Sequence, residues 1–171
     1  MKNKVILVDK NNSIIGKEDK LIAHKKALLH RAFSIFVFNN KEELLIQRRA
    51  LSKYHTPGLW SNTCCSHQQP GESTLSAANS RLFEEMGIVC EFHEIGQIYY
   101  KFKLDEDIWE HEYDHILIGN YNGTVTPNPK EVLKYRWISL ESLKTEMSLN
   151  NRIFTPWFKI ILEKYFYLCK S

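Results

Sequence analysis

The stretch SHQQPGESTLSAANSRLFEEMGI, residues 66–88, decides how this chain folds. Apolar residues recur at helical spacing between Glu72 and Met86, and Gly87 follows as a C-cap candidate, so the spacing predicts a helix over 72–86. Arg81 and Glu85 stand at i and i+4, which sets a guanidinium and a carboxylate on one face of that helix. The residues just before it, SNTCCSH at 61–67, place two thiols side by side and an imidazole two residues after the second. In an extended segment side chains alternate, so Cys65 and His67 face one side and Cys64 the other. That makes one thiol a candidate for chemistry and its neighbour a candidate for packing.

Outward from this stretch the chain reads as short strands with few helices. VILVD and IIGKE flank a turn at Lys10–Ser13, and AFSIFVFN and ELLIQRRA flank a polar turn at Asn39–Glu42, giving two expected hairpins. Further strands are expected in IGQIYYKFKL, HILIGNY and YRWISL, and an apolar-faced terminal helix in TPWFKIILEKYFYL with Pro156 in its first turn. The order predicts a single α+β domain over residues 1–171, with a mixed, mostly antiparallel sheet and helices packed on its faces.

Composition agrees with that size. The chain has 171 residues, 43% hydrophobic and 25% charged, enough for one ordinary core. A formal charge of +3 spread along the chain gives no reason to expect a nucleic-acid or membrane partner. The apolar run near the start is too short for a signal segment and no span approaches ~20 apolar residues, so a cytoplasmic location is expected. Cys64, Cys65, Cys90 and Cys169 form neither a disulfide framework nor a C-x-x-C pair, which leaves reduced thiols.

A second chemical stretch is WEHEYDH, residues 109–115. On a strand Glu110, Glu112 and Asp114 share one face, and neighbouring carboxylates repel unless a cation or solvent separates them. His24, His30 and His67 are available as neutral imidazoles, and imidazole with carboxylate suits a divalent first-row metal. Spacing alone does not bring these residues together. Taken one at a time, the groups have blander readings: a solvated acidic edge, a buried inert thiol at Cys65, a core indole at Trp157, and a solvated pair at Arg49 and Lys53.

The helix segment follows the frame of the NUDIX box, G-x5-E-x7-R-E-U-x-E-E-x-G-U with U apolar, through Ser66, Glu72, Ser80, Arg81, Leu82, Glu84, Glu85, Gly87 and Ile88. Three positions depart from it. Ser66 replaces the first Gly, Ser80 replaces the Arg, and Arg81 replaces a Glu of the metal-gathering acidic row. That last change weakens pyrophosphate hydrolysis as a reading and leaves diphosphate binding intact. Together with DKLIAHKKALLHRAFSIFVFN, LLIQRRALSKYHTPGLWSNTCCSHQQPGES, DIWEHEYDHIL and TPWFKIIL, the box resembles the type 1 isopentenyl-diphosphate isomerases, a NUDIX-fold family, over nearly the whole chain.

The resemblance implies a reaction that moves a double bond of a five-carbon diphosphate from the 3,4 to the 2,3 position by antarafacial 1,3-proton transfer through a carbocation-like intermediate. It implies Cys65 and Glu112 as the proton-transferring groups with Tyr100 beside Glu112, and His24, His30, His67, Glu110 and Glu112 as ligands of a divalent ion, Mn2+, Mg2+ or Zn2+. It implies that Glu85 holds a second ion, a Mg2+ bridging to the substrate diphosphate, and that Lys20, Arg49, Lys53, Ser66 and Arg81 contact the diphosphate. Trp157 is implied over the hydrocarbon, where an indole face favours a developing positive charge. The expected partner is a small diphosphate met by a monomer. A NUDIX pyrophosphohydrolase and a non-catalytic diphosphate- or metal-binding module are the alternatives.

Overall fold

A computed structural model of the chain describes residues 3–167; Cys169 and the last residue of the expected terminal helix lie outside them. The fold is α+β. Strands β1 (Lys4–Val8) and β2 (Ile14–Asp19) form the first expected hairpin and lead into a short helix, α1 (Lys20–Lys25). Asp19 caps α1 by accepting from the backbone N–H groups of Leu21 and Ile22. The sequence reading had no helix here, because six residues are too few to show an apolar period.

Strands β3 (His30–Phe38) and β4 (Glu43–Arg49) follow, and they correct the second hairpin. The two pair only beside their turn, at Phe38 and Leu44, and then part. The cause is the segment between them and the helix. Strand β5 (Trp60–Ser61) pairs with β4, strand β6 (Cys64–Ser66) pairs with β3, and the buried residues Asn62 and Thr63 fill the gap. Thr63 Oγ1 accepts from Val37 N at 2.9 Å and donates to Leu45 O at 2.6 Å, while Asn62 Nδ2 donates to Ile35 O at 3.2 Å and Cys64 O at 2.9 Å. Side chains thus replace the ladder that β3 and β4 do not make with each other, as buried backbone groups require.

Helix α2 (Thr74–Met86) begins two residues later than expected, with Ser73 Oγ accepting from Ser76 N, and ends at Gly87. Gly87 has φ 67°, and a Cβ there would lie 2.6 Å from Thr126 O, so both the turn and the packing require glycine. Strands β7 (Phe92–Asp105) and β8 (Ile108–Asn120) make one long antiparallel hairpin, and β8 also runs parallel to β3, which makes the sheet mixed. Strand β9 (Val132–Ser139) pairs with β4. Two helices follow: α3 (Leu140–Leu149), which the sequence reading did not include, and α4 (Pro156–Leu162), which continues into a π-helical turn.

Alternation along the strands sorts the core into two layers. Phe33, Ile35 and Val37 of β3 pack with Ala78, Leu82 and Met86 of α2 on one side. Phe36 of the same strand, with Leu44 and Ile46 of β4, packs against Phe158, Ile161 and Leu162 of α4 on the other. Cys64 belongs to the first layer and Cys65 packs against the second, as alternation predicts. No helix among the described residues is long and apolar enough to cross a membrane.

Candidate active site

Strand register gathers the chemistry into one pocket, walled by Trp157 of α4 and by Arg81 and Glu85 of α2. Glu112 of β8 lies opposite Tyr100 of β7 and beside His30 of β3, and Cys65 of β6 lies opposite Ser34 of β3. Cys65, Ser66, His67, Tyr100, Glu110 and Glu112 all line the cavity. Its other walls come from Lys20, Arg49, Lys53, Arg81, Glu85 and Trp157. His24 and His30 are fully buried around Glu112.

Four of the five expected His/Glu ligands converge. One ligand atom from each of His24, His30, His67 and Glu112 lies within 4.8 Å of the others. His24 and His30 each direct Nδ1 to a backbone carbonyl, of Trp109 and Leu28, at 2.8 Å. That interaction fixes the proton on Nδ1 and leaves the Nε2 lone pair pointing inward. His30 Nε2 then faces His67 Nε2 at 3.2 Å, and His67 Nε2 faces Glu112 Oε1 at 2.7 Å. His24 Nε2 is buried with no hydrogen-bonding partner among the described residues. Converging imidazoles, the orphaned nitrogens His24 Nε2 and His67 Nδ1 among them, and a carboxylate form a donor set that fits a divalent cation. Glu110 stands at the edge of this cluster, with Oε2 3.7 Å from His24 Nδ1 and Oε1 3.4 Å from His55 Nε2.

Burial tunes each group. It pushes the imidazole of His24 down to about 4 and that of His67 to about 3, so both stay neutral at ordinary pH. Burial alone would push Glu112 up, but the imidazoles of His30 and His67 beside it outweigh burial and hold the carboxyl well below its usual range. Glu110 goes the other way: burial first and the charge of Glu112 second hold it well above that range. The Cys65 thiol is pushed up to about 12, chiefly by burial, so it is a proton-bearing group and not a thiolate nucleophile. Tyr100, raised by burial and by the nearby carboxylates, donates to Glu112 Oε2 at 2.5 Å and stands 3.1 Å from Asp114 Oδ2.

The mouth of the pocket is cationic. Lys20, Lys53, Ser66 and Arg81 also line an outer cleft that opens beside it. Their charges are balanced by acids: Arg81 binds Glu84 at 2.6 Å and also Glu85, while Lys53 binds Glu131. Gln47 Nε2 fixes the other oxygen of Glu85 at 2.8 Å. The Arg49 guanidinium lies 5.5 Å from the Trp157 ring centre.

Sequence reasoning missed His55, Asp114 and Glu131 as parts of the site. His55 has one faint signal, its two-residue spacing from Lys53. Asp114 was visible as the third same-face acid of β8, but nothing in the sequence ties it to Tyr100. Glu131 has no local signal, because it reaches Lys53 through contacts distant in the chain, the β4–β9 pairing and the backbone bond of Ala50 N to Glu131 O at 3.0 Å.

The box, its fold and this acidic, metal-competent pocket define a class: the NUDIX domain family model matches residues 28–158. Solved structures agree on the fold. A Deinococcus radiodurans protein superposes with a TM-score of 0.77 at 17% identity, over 95% of this chain and 99% of that one. A MutT protein from Methanosarcina mazei gives 0.69 at 21% identity, over 84% and 96%. More similar in sequence is an isopentenyl-diphosphate Delta-isomerase of Burkholderia multivorans, 45% identical over 96% of this chain and 93% of its own length. One from Serratia proteamaculans is 43% identical over 95% and 91%. The chain belongs to the isopentenyl-diphosphate Delta-isomerase family.

Proposed function

We propose that this enzyme isomerises isopentenyl diphosphate to dimethylallyl diphosphate, with Cys65 and Glu112 as the two proton-transferring groups. The observation that carries the reading is the joint placement of Cys65, Glu112 and Trp157 on the wall of one pocket whose mouth holds Lys20, Lys53 and Arg81. A pyrophosphohydrolase needs an acidic helix face to gather ions around the scissile bond, and Arg81 occupies one position of that face.

The substrate has no carbonyl to acidify the departing proton, so the reaction adds a proton to C4 of the 3,4 double bond, which leaves a tertiary cation at C3. Loss of a proton from C2 then returns its electron pair as the 2,3 double bond, and protons and charge balance. One group is needed on each face of the alkene, and β6 and β8 supply Cys65 and Glu112 from separate strands. Tyr100 holds the Glu112 carboxyl by its short hydrogen bond and steadies the proton there. Trp157, only 4% exposed, offers its ring to the cation and helps exclude the water that would trap it as an alcohol.

His24, His30, His67, Glu110 and Glu112 are assigned to one divalent ion, Mn2+, Mg2+ or Zn2+, which when bound supplies positive charge that orients Glu112 and lowers its proton affinity. Glu85 is assigned to a Mg2+ shared with the diphosphate, whose oxygens meet Lys20, Arg49, Lys53, Ser66 and Arg81. We read the chain as a single-domain monomer that acts on a small diphosphate in the cytoplasm. Incubating the purified protein with isopentenyl diphosphate and Mg2+ tests the reading: dimethylallyl diphosphate is expected, and released phosphate or pyrophosphate without it would favour the hydrolase.

A further inference from the structure

The inference concerns His55 and rests on Glu110 being a ligand of the His/Glu site. We infer that His55 is a positioning residue that holds the Glu110 carboxylate against that site. His55 Nε2 stands 3.4 Å from Glu110 Oε1, at the outer edge of hydrogen-bonding range, and its side chain is only 11% exposed.

The geometry divides the work of one carboxylate. Oε1 faces His55, and Oε2 lies 3.7 Å from Nδ1 of His24, a residue of the cluster. Glu110 is the expected ligand that stands at the margin of the cluster, and it is therefore the one whose placement depends most on an outside partner.

The loop that carries His55 is built to turn it inward. Thr56 has φ 46°, a conformation that a β-branched residue adopts only when its surroundings demand it. Arg49 Nη2 donates to the His55 carbonyl at 3.3 Å, and the His55 ring packs 4.3 Å from Tyr54 and 6.1 Å from Trp157 between ring centres. One imidazole thus touches the metal-side acid and the indole of the hydrocarbon wall. Removing a partner of a metal ligand typically weakens metal affinity or activity ~10–100-fold.

The test is Mn2+ affinity, measured by competition with a fluorescent chelator on the purified protein, for His55→Phe, His55→Gln and Glu110→Gln. His55→Phe keeps a flat ring and removes the donor; His55→Gln keeps an N–H. The inference predicts Mn2+ binding ~10–100-fold weaker in His55→Phe and near that of the parent in His55→Gln. It also predicts a loss of kcat in His55→Phe that saturating Mn2+ restores, with KM for the diphosphate unchanged. Unaltered Mn2+ affinity in His55→Phe, while Glu110→Gln loses it, overturns the inference and keeps Glu110 as a ligand. Unaltered affinity in Glu110→Gln overturns both. If His55→Phe does not fold, the comparison falls to His55→Gln against His55→Leu, and equal Mn2+ affinity in that pair overturns the inference.

Discussion

The Tyr100 hydroxyl donates to Glu112 Oε2 at 2.5 Å, while His67 Nε2 meets Oε1 of the same carboxylate at 2.7 Å. One oxygen of Glu112 therefore belongs to the imidazole cluster and the other to a buried phenol, so its orientation is set from both sides. Tyr100→Phe removes one of the two restraints and leaves the ring in place. Turnover is expected to fall ~10–100-fold with little change in KM, since the phenol touches Glu112 and not the diphosphate. Steady-state kinetics of this variant with parent-like kcat would remove Tyr100 from the mechanism.

Arg81 is expected to act on binding. Its guanidinium is held by Glu84 and Glu85, and it faces the outer cleft with Lys20 and Lys53. Arg81→Ala should raise KM and weaken inhibition by pyrophosphate, because charge-assisted contacts to phosphate oxygens are lost from the ground state. Unchanged values of both would place the diphosphate elsewhere.

Acid should destabilise the metal-stripped protein through its buried imidazoles. His67 is pushed down to about 3 in the fold, against the ordinary 6.5 of an exposed imidazole. Below about pH 6.5 the unfolded chain takes up a proton that the folded chain refuses, so the His67 contribution turns against folding as pH falls, and levels off near pH 3. Glu110 and Asp114, raised by burial and by the charge of Glu112, contribute with the opposite sign, so the His67 part is read as a difference. Thermal melts in chelator of the parent and His67→Gln, taken from pH 7 to pH 4, should show the variant gaining on the parent as pH falls. Parallel curves would contradict this.

Thr63 ties the parted strands β3 and β4 through one hydroxyl. Thr63→Val keeps the shape and strands Val37 N and Leu45 O, at ~1–3 kcal/mol for each buried group left unsatisfied. Because the same segment carries Cys65, turnover should fall along with stability. Urea melts showing no loss would mean that the gap is filled in some other way.

Much of this arrangement was legible in the sequence where the information is periodic. Alternation in SNTCCSH placed Cys65 with His67 and apart from Cys64, and alternation in WEHEYDH placed Glu110 with Glu112, because the two-residue period of a strand is a local property. The α2 helix was legible from its spacing and Gly87. What was not legible depends on contacts distant in the chain. The splaying of β3 from β4 follows Asn62 and Thr63, whose side chains bond both strands and carry no spacing signal of doing so. Glu110 of β8 stands 3.4 Å from His55 of the segment between β4 and β5, a contact that no spacing rule anticipates. The convergence of His24, His30, His67 and Glu112 draws on α1, β3, β8 and the residue after β6, and no spacing rule joins four separate segments.

The central claim is that Cys65 and Glu112, and not Cys64, exchange the two protons. It is tested most directly by turnover with deuterium incorporation from D2O for Cys65→Ser, Glu112→Gln and Cys64→Ser. Cys65→Ser and Glu112→Gln should each lower turnover ~10²–10⁴-fold, the usual contribution of a general acid or base. Cys64→Ser, buried against α2, should incorporate deuterium at nearly the parent rate and cost about 1 kcal/mol of stability. Near-normal turnover in Cys65→Ser, or its collapse in a folded Cys64→Ser protein, would contradict the account.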